Sequence, residues 1–277
     1  MRIIIASAFS KNGSGGNKAG VCTYGEGLNA LQKQQVAKEL GFSETVYIST
    51  GKKSFKLEYF TPSDEVPLCG HATIAAFVVM RELIKLEKNS YLIETKSGDF
   101  HVSFDGDLVF MEQAKPEFFE ILSKTDIQKC FDIEVCHDKL PIEIGSTGLR
   151  DIILPVKDLM TLEAMNPNFD EISALSQAVD AVGIHAFTID GKRIVCRNFA
   201  PLYDIPEESA TGTSNCVLAC YLWKNNILKE DKYTFEQGYS LGSPSEIVVH
   251  LETDGEVITK VSVGGKGYLV GEQIVEV

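Results

Sequence analysis

The hydrophobic pattern of the chain contains a long apolar run that directly follows a polar loop. Residues 60–70 carry Pro62 and Pro67, and residues 71–80 are almost uniformly apolar. A proline disfavours helical geometry at the residue before it, and an apolar segment of this length is typical of a buried helix. The pattern therefore predicts a buried helix that begins near His71.

A second segment repeats this pattern later in the chain. Residues 200–214 form another polar loop with two prolines, and residues 215–223 are again mostly apolar. Because both segments share the order of strand, loop and apolar helix, we interpret them as a degenerate internal repeat. The sequence thus predicts one buried helix in each half of the chain.

Alternating and β-branched apolar positions predict strands around both helices. In the first half these strands lie at residues 2–9, 19–23, 45–50, 56–61, 91–95, 100–104 and 108–112. In the second half they lie at residues 149–155, 185–189, 194–199, 233–236, 247–251, 257–263 and 267–275. The Asp-Gly pairs at 105–106 and 190–191 predict hairpin turns.

The remaining predicted elements are two further helices and a segment that separates the two halves of the chain. Residues 28–40 predict a surface helix that ends at Gly41, and residues 171–179 predict another helix. Residues 118–131 follow Pro116 and have a helix-like pattern, so they mark the passage between the halves. We expect a first lobe at 1–116 with its helix from about 71, and a second at 117–277 with its helix from about 213. The last strand can return to the first lobe.

Composition and charge narrow the class of protein. The 277 residues are 44% hydrophobic, enough for a large core. Asp and Glu outnumber Lys and Arg by 39 to 26, and the net charge of −13 argues against nucleic acid or an anionic membrane as a partner. Seven scattered cysteines do not form a secreted disulfide framework. No run has the length of a membrane span, and residues 3–9 are too short for a signal peptide, so we expect a cytoplasmic protein.

Polar residues that can do chemistry gather at the two predicted helix starts. A helix N-terminus carries N–H groups and a positive dipole end that bind an anion. The first start has Cys69, Gly70 and His71; the second has Glu208, Thr211, Gly212, Thr213 and Ser214; and Glu44 stands at the start of a strand. A carboxylate base, a histidine and two anion-binding helix ends suffice to move a proton beside a carbonyl or along a conjugated system.

Each of these residues also has an ordinary structural interpretation. Taken alone, Glu44 would be an exposed acid, His71 and Thr213 would cap helices, and Cys69 would be a small buried hydrophobe. The five histidines are dispersed, and no motif for a nucleotide or metal is present. The sequence therefore predicts no metal and no cofactor.

Six ordered motifs resemble the PhzF family, the phenazine-biosynthesis-like isomerases related to diaminopimelate epimerase. They are Gly16-Asn-Lys-Ala-Gly-Val21, Ser43-Glu-Thr45, Phe60-Thr-Pro-Ser-Asp-Glu-Val-Pro-Leu-Cys-Gly-His-Ala-Thr73, Arg197-Asn-Phe-Ala-Pro201, Ile205-Pro-Glu-Glu-Ser-Ala-Thr-Gly-Thr213, and Glu236-Gln-Gly238 with Gly242-Ser-Pro-Ser245. The resemblance implies an α+β fold with two pseudo-symmetric lobes, each a curved, mostly antiparallel sheet around a central helix. It also implies a homodimer. Because two such halves facing each other would bring both helix N-termini to one cleft, we expect the site in the cleft between the lobes.

The same resemblance implies roles for individual residues. Glu44 matches the general acid/base, and His71 matches the histidine that orients or protonates the substrate. Glu208 stands where the family usually has Asp, and Thr213 where it usually has Ser. The residues expected to bind substrate are Cys69, Gly70, Thr211, Gly212 and Ser214.

The second motif departs from the family pattern D-P-[AV]-T-G-S-A. Glu208 is one methylene longer than Asp, Ser209 replaces the proline, and Thr213 carries an extra methyl group. We therefore predict a cofactor-independent isomerase acting on a small carboxylated metabolite, including cyclic or amino-bearing ones, and leave the phenazine precursor itself open.

Two alternatives remain. One is an amino-acid racemase or epimerase that uses Cys69, although the second helix start has no matching cysteine and Cys216 lies farther along that helix. The other is a non-catalytic protein that binds a small anionic metabolite on the same fold.

Overall fold

The structure, a computed structural model, describes residues 1–25, 27–51 and 54–276. The chain divides into two compact units, Met1–Glu112 with Gly264–Val277, and Gln113–Val263. Each unit combines a mixed sheet with a few helices, so the predicted α+β class is confirmed.

The strands in chain order are β1 (Arg2–Ala8), β2 (Asn17–Cys22), β3 (Thr45–Thr50), β4 (Phe55–Phe60), β5 (Glu65–Val66), β6 (Ser90–Thr95), β7 (Gly98–Asp105), β8 (Leu108–Gln113), β9 (Glu117–Leu122), β10 (Ile142–Ser146), β11 (Arg150–Pro155), β12 (Ile184–Asp190), β13 (Arg193–Ala200), β14 (Ile205–Glu208), β15 (Lys232–Gln237), β16 (Ser245–Asp254), β17 (Val257–Gly265) and β18 (Gly267–Ile274). The helices are α1 (Ala30–Leu40), α2 (Gly70–Ile84), α3 (Lys124–Ile127), α4 (Leu159–Ala164), α5 (Phe169–Ala178) and α6 (Gly212–Lys224), with short 3-10 turns at Pro201–Tyr203 and Tyr239–Leu241.

The first unit is a sheet in which non-consecutive strands are neighbours. Its order is β18-β1-β2-β3-β4-β6-β7-β8, and the pairs β2–β3 and β4–β6 are parallel while the others are antiparallel. Helix α2 packs against β1, β2, β3 and β18. Its residues 71–80 are all buried, which explains why this segment is apolar on every side.

The start of α2 is fixed by local bonds. Cys69 is the N-cap residue in extended geometry, one residue before the helix. The Thr73 hydroxyl donates to the Cys69 carbonyl at 2.7 Å, and the Tyr59 hydroxyl lies 2.6 Å from the same Thr73 oxygen. The predicted helix start near His71 is confirmed within one residue.

The second unit repeats the pairing pattern of the first. Its order is β9-β10-β11-β12-β13-β15-β16, and here β11–β12 and β13–β15 are the parallel pairs. Helix α6 packs against β10, β11 and β16. Since strand senses recur in the same order, with α2 and α6 in equivalent places, the predicted internal repeat is confirmed.

The predicted helix end at Gly41 and the two predicted hairpin turns are confirmed. Gly41 adopts the left-handed conformation (φ 68°) after α1, and its N–H donates to the Ala37 carbonyl at 3.1 Å. Gly106 and Gly191 also have positive φ in the hairpins β7–β8 and β12–β13. Glycine tolerates this geometry because it has no Cβ.

One predicted element is wrong. Residues 118–131 do not form a helix: β9 occupies the first part and the four-residue helix α3 follows it. Strand β9 pairs with β10, with Phe118 opposite Gly145 and Leu122 opposite Ile142. The sheet pairing thus overrides the local helical pattern. Strand β10 and helix α4 are further elements that the sequence pattern does not indicate.

The cysteines and the length of the helices bear on the environment of the protein. All seven cysteines lie within the described ranges, are buried and form no disulfide. No helix in the described part of the chain combines the length and apolar character that a bilayer span requires.

Candidate active site

Three predicted residues meet at the start of α2. Glu44 directly precedes β3, and its carbonyl accepts a bond from the Gly20 N–H of the parallel neighbour β2 at 3.2 Å. Cys69 and His71 come from the N-cap and the first turn of α2. The three residues are 9%, 9% and 4% exposed, so the cluster is almost fully withdrawn from solvent.

His71 lies between the other two side chains. Its Nε2 atom is 3.1 Å from Oε2 of Glu44, and its Nδ1 atom is 3.4 Å from the Cys69 sulfur. The Asn17 side-chain amide also lies 3.4 Å from Nδ1. One imidazole nitrogen therefore faces the carboxylate, and the other faces the thiol and the amide.

Burial and charge act in opposite directions on this cluster. Burial alone disfavours an imidazolium, but the adjacent Cys69 and Glu44 groups raise the pKa of His71 well above its ordinary value. Burial, reinforced by the Glu44 carboxylate, raises the pKa of the Cys69 thiol, and His71 only partly offsets this. The cluster thus favours a protonated thiol and an imidazole that is ready to hold a proton beside Glu44.

The second set of predicted residues lies in the other unit, at the start of α6. Thr211 is the N-cap residue, and its hydroxyl donates to Oε2 of Glu208 at 2.5 Å. The Gln237 amide nitrogen donates to the Glu208 carbonyl at 2.7 Å and to the Thr211 hydroxyl at 3.1 Å. Gln237 therefore ties the carboxylate-bearing loop to the helix start.

The two neighbouring acids of this loop have different partners. Arg197 donates to both carboxylate oxygens of Glu207 at 2.9 and 2.8 Å, and also to the Met165 carbonyl. This fork-shaped pair is a strong, orienting interaction. Glu207 is thus the structural acid of the loop, and Glu208 is the one that contacts the N-cap residue.

The first three residues of α6, Gly212 to Ser214, are buried or half-buried. Gly212 is buried, Thr213 is half-buried, and the Thr213 carbonyl accepts a bond from the Thr147 hydroxyl at 3.4 Å. Ser214 is 1% exposed and donates to Asp151 at 2.8 Å. Its hydroxyl therefore belongs to an interior network.

That network includes a buried carboxyl group which sequence reasoning missed. Asp151 on β11 is 1% exposed, and burial raises its pKa to about 7, although the Ser214 bond acts against this and Glu208 adds to it. From Ser214 the network continues through the Asn198 amide to His185, with distances of 3.2 Å each. Asp151 had one signal in the sequence, a lone acid inside an apolar strand.

Asn17 and Gln237 are two further residues of these clusters that the sequence pattern alone does not identify. Both lie inside motifs that resemble the PhzF family, Asn17 after Gly16 and Gln237 before Gly238. The structure places Asn17 beside His71 and Gln237 beside Thr211. Each is a buried amide that orients a helix-start residue.

The two clusters differ in chemical capacity. The Glu44 cluster offers a carboxylate, an imidazole and a thiol, a set that can transfer protons and can also ligate a metal. The Glu208 cluster offers a carboxylate and hydroxyls at a helix N-terminus. Such a group can bind the polar substituents of a substrate.

The strand order and the buried helix of each unit define the class of protein as α+β with the diaminopimelate epimerase-like fold. The chain belongs to the PhzC-PhzF family, described as phenazine biosynthesis-like protein, which matches residues 6–273.

Individual relatives agree with this assignment. An uncharacterized isomerase of Clostridium acetobutylicum is 31% identical, over 95% of this chain and 94% of the relative. The crystal structure of a Bacillus anthracis phenazine biosynthesis protein of the PhzF family has a TM-score of 0.90 at 27% identity, with 100% and 99% of the two chains covered. A hydroxyproline epimerase from Agrobacterium vitis shares the fold alone, with a TM-score of 0.65 at 11% identity, over 99% of this chain and 91% of the other.

Proposed function

We propose that this isomerase moves a proton on a small carboxylated metabolite without a cofactor, and that Glu44 is its general acid/base. The observation that carries the proposal is the contact of 3.1 Å between Glu44 and His71 in a nearly dry cluster at the N-terminus of a 15-residue helix. A carboxylate needs such a partner and a restricted solvent supply to act as a base on carbon near neutral pH.

The reaction balances within the substrate. The Glu44 carboxylate takes a proton from a carbon next to a conjugated system, and the electron pair of the broken C–H bond passes into that system. Glu44 then returns the proton to another carbon, and the double bonds shift accordingly. Because nothing is oxidised, reduced or released, one acid/base group completes the cycle.

The surrounding groups have supporting roles in this proposal. Helix geometry leaves the first-turn N–H groups of α2 without intrahelical acceptors, so Gly70 and His71 can contribute donors for a substrate carboxylate. The His71 imidazole keeps the Glu44 carboxylate oriented and can donate to a substrate oxygen.

A racemase that uses Cys69 needs a second thiol for the opposite face of the carbon. The thiol that follows the second helix start, Cys216, is 0% exposed inside α6. Thr213 holds the position that corresponds to His71 in the repeat. The one-base mechanism therefore accounts better for the residues that are present.

The test is proton exchange in deuterated water. The protein is incubated with a panel of small carboxylic acids, including the dihydro-hydroxyanthranilate of phenazine synthesis, and deuterium uptake is followed by NMR. Glu44→Gln should slow exchange about 100-fold or more, the usual contribution of a general base. Glu39→Gln, an exposed acid of α1, is the matched control and should leave the rate unchanged.

Three outcomes contradict the proposal in different ways. Equal rates for Glu44→Gln and wild type exclude Glu44 as the base. Exchange at the α-carbon of an amino acid that is lost in Cys69→Ser supports the racemase instead. A ligand from the panel that binds wild type and Glu44→Gln equally, without exchange in either, identifies a binding protein.

A further inference from the structure

The cluster at the start of α2 is also a ligand set for a transition metal. One donor atom from each of Glu44, Cys69 and His71 lies within 4.8 Å of the other two. Among the residues that the structure describes, this is the one place where three such groups meet. We propose that Glu44, Cys69 and His71 bind a zinc ion, and that zinc in this site blocks the proton-transfer function of Glu44.

The donor types favour zinc over harder cations. A thiolate, an imidazole and a carboxylate are all common zinc ligands, whereas magnesium and calcium prefer oxygen ligands alone. All three residues are at least nine-tenths buried, so the ion exchanges its water for protein ligands in a largely dry environment. Binding converts the Cys69 thiol to a thiolate, and the released proton goes to solvent.

The distances are close to those of a zinc site. With zinc–ligand bonds of about 2.0–2.3 Å, tetrahedral coordination separates the ligand atoms by about 3.3–3.8 Å. The separation of 3.1 Å between Glu44 and Nε2 of His71 is just below this range, and one ligand atom of each of the three residues lies within 4.8 Å of the other two. Cys69 faces Nδ1 while Glu44 faces Nε2, so a side-chain rotation of Cys69 must bring the sulfur nearer to Nε2.

Asn17 supplies the outer contact that such a site requires. A histidine that binds zinc through one ring nitrogen usually holds its other nitrogen by a hydrogen bond, which fixes the ring orientation. The Asn17 amide lies 3.4 Å from Nδ1 of His71, and rotation of the amide can present its oxygen to an Nδ1–H group. Nε2 is then left to the metal, on the side where Glu44 lies.

Three protein ligands leave the fourth zinc position to water or a substrate oxygen. A zinc ion bound to Glu44, Cys69 and His71 occupies the carboxylate lone pair with which Glu44 would accept a proton. Inhibition by zinc therefore rests on the proposed function, whereas zinc binding itself does not.

Cobalt(II) is the probe for this site, since it takes zinc geometries and reports them in its absorption spectrum. Metal-free protein is titrated with Co²⁺, and Zn²⁺ is then added to displace it. We expect one Co²⁺ per chain, a thiolate-to-cobalt charge-transfer band and the visible bands of tetrahedral cobalt, all lost on addition of Zn²⁺.

Variants assign the ligands. Cys69→Ser should remove the charge-transfer band, and His71→Gln and Glu44→Gln should each weaken binding. Asn17→Ala should weaken binding about tenfold, as expected for loss of an outer contact. Cys22→Ser is the matched control, because Cys22 is another buried thiol of the same unit that lies outside the cluster, and its titration should equal that of wild type.

The two parts of the proposal fail separately. Absence of the charge-transfer band, or an unchanged band in Cys69→Ser, overturns the site. If Co²⁺ and Zn²⁺ bind as expected but the exchange reaction in deuterated water keeps its rate with zinc bound, the inhibition is overturned. If Glu44→Gln exchanges as fast as wild type, the proposed function fails while the cobalt result still decides the site.

Discussion

The buried Asp151 carboxyl group makes the stability of the second unit depend on pH. Its pKa is raised from an ordinary value of 3.8 to about 7 because burial disfavours the charged form. Between these values the folded state holds a proton that the unfolded state has released, so raising the pH destabilises the fold. From pH 5 to 8 the contribution of Asp151 alone falls by about 3 kcal/mol, at about 1.4 kcal/mol for each of the two pH units below 7.

Asp151→Asn removes this dependence while it keeps an oxygen that can accept the Ser214 hydroxyl bond. The assay is urea unfolding at pH 5, 6, 7 and 8, followed by the fluorescence of Trp223. Trp223 is the single tryptophan of the chain and lies in α6, so it reports the unit that contains Asp151. The stability of the variant relative to wild type should rise by about 3 kcal/mol across this range.

The matched control is Asp231→Asn, an exposed acid of the same unit, whose pH curve should run parallel to that of wild type. Parallel curves for Asp151→Asn and wild type would show that the carboxyl group does not hold its proton in the folded state. The interpretation of Asp151 as a buried, protonated partner of Ser214 would then be refuted.

Two further predictions concern the same unit and use the same Trp223 assay. His185 is 0% exposed and burial lowers its pKa to about 4, so its own contribution to stability falls as pH drops from 6.5 towards 4, by about 1.4 kcal/mol per unit and opposite in sign to that of Asp151. His185→Gln should therefore gain stability relative to wild type over this range, and a constant difference between the two proteins would contradict the prediction. Gln237→Leu removes four hydrogen bonds around the Thr211 helix start and should lower the free energy of unfolding by about 2–3 kcal/mol. The control Gln177→Leu, at an exposed position, should change the free energy of unfolding little. Similar values for both variants would show that the Gln237 bonds contribute nothing to stability.

The sequence predicts the two central helices well because their signals are local. A proline-containing loop followed by a long apolar run fixes the beginning of α2, and burial on every side leaves no competing interpretation. Hairpins at Asp-Gly pairs are equally local, since the turn geometry itself selects these residues. Such elements need no information from distant parts of the chain.

The failure at residues 118–131 has the opposite cause. Residues 117–122 form strand β9 because they pair with the neighbouring strand β10. Exposed and half-buried residues do not alternate cleanly along β9, so the sequence carries no strand signal there. Asp151 was missed for a related reason. Its partner Ser214 is distant in sequence, so only the folded sheet shows that the lone acid of β11 lies under the start of α6.

The internal repeat explains why one unit alone carries the proposed base. In the first unit the Gly20 N–H donates to the carbonyl of Glu44, the residue before β3. In the second unit the Ile152 N–H donates, at 3.0 Å, to the carbonyl of Gly183, the residue before β12. Gly183 is therefore the counterpart of Glu44. A Cβ atom at position 183 would lie 1.9 Å from the Phe199 carbonyl oxygen, so no acid can occupy that place without displacing β13. Backbone packing therefore excludes a second acid at the position equivalent to Glu44, and the repeat is compatible with the proposal that one carboxylate both removes and returns the proton.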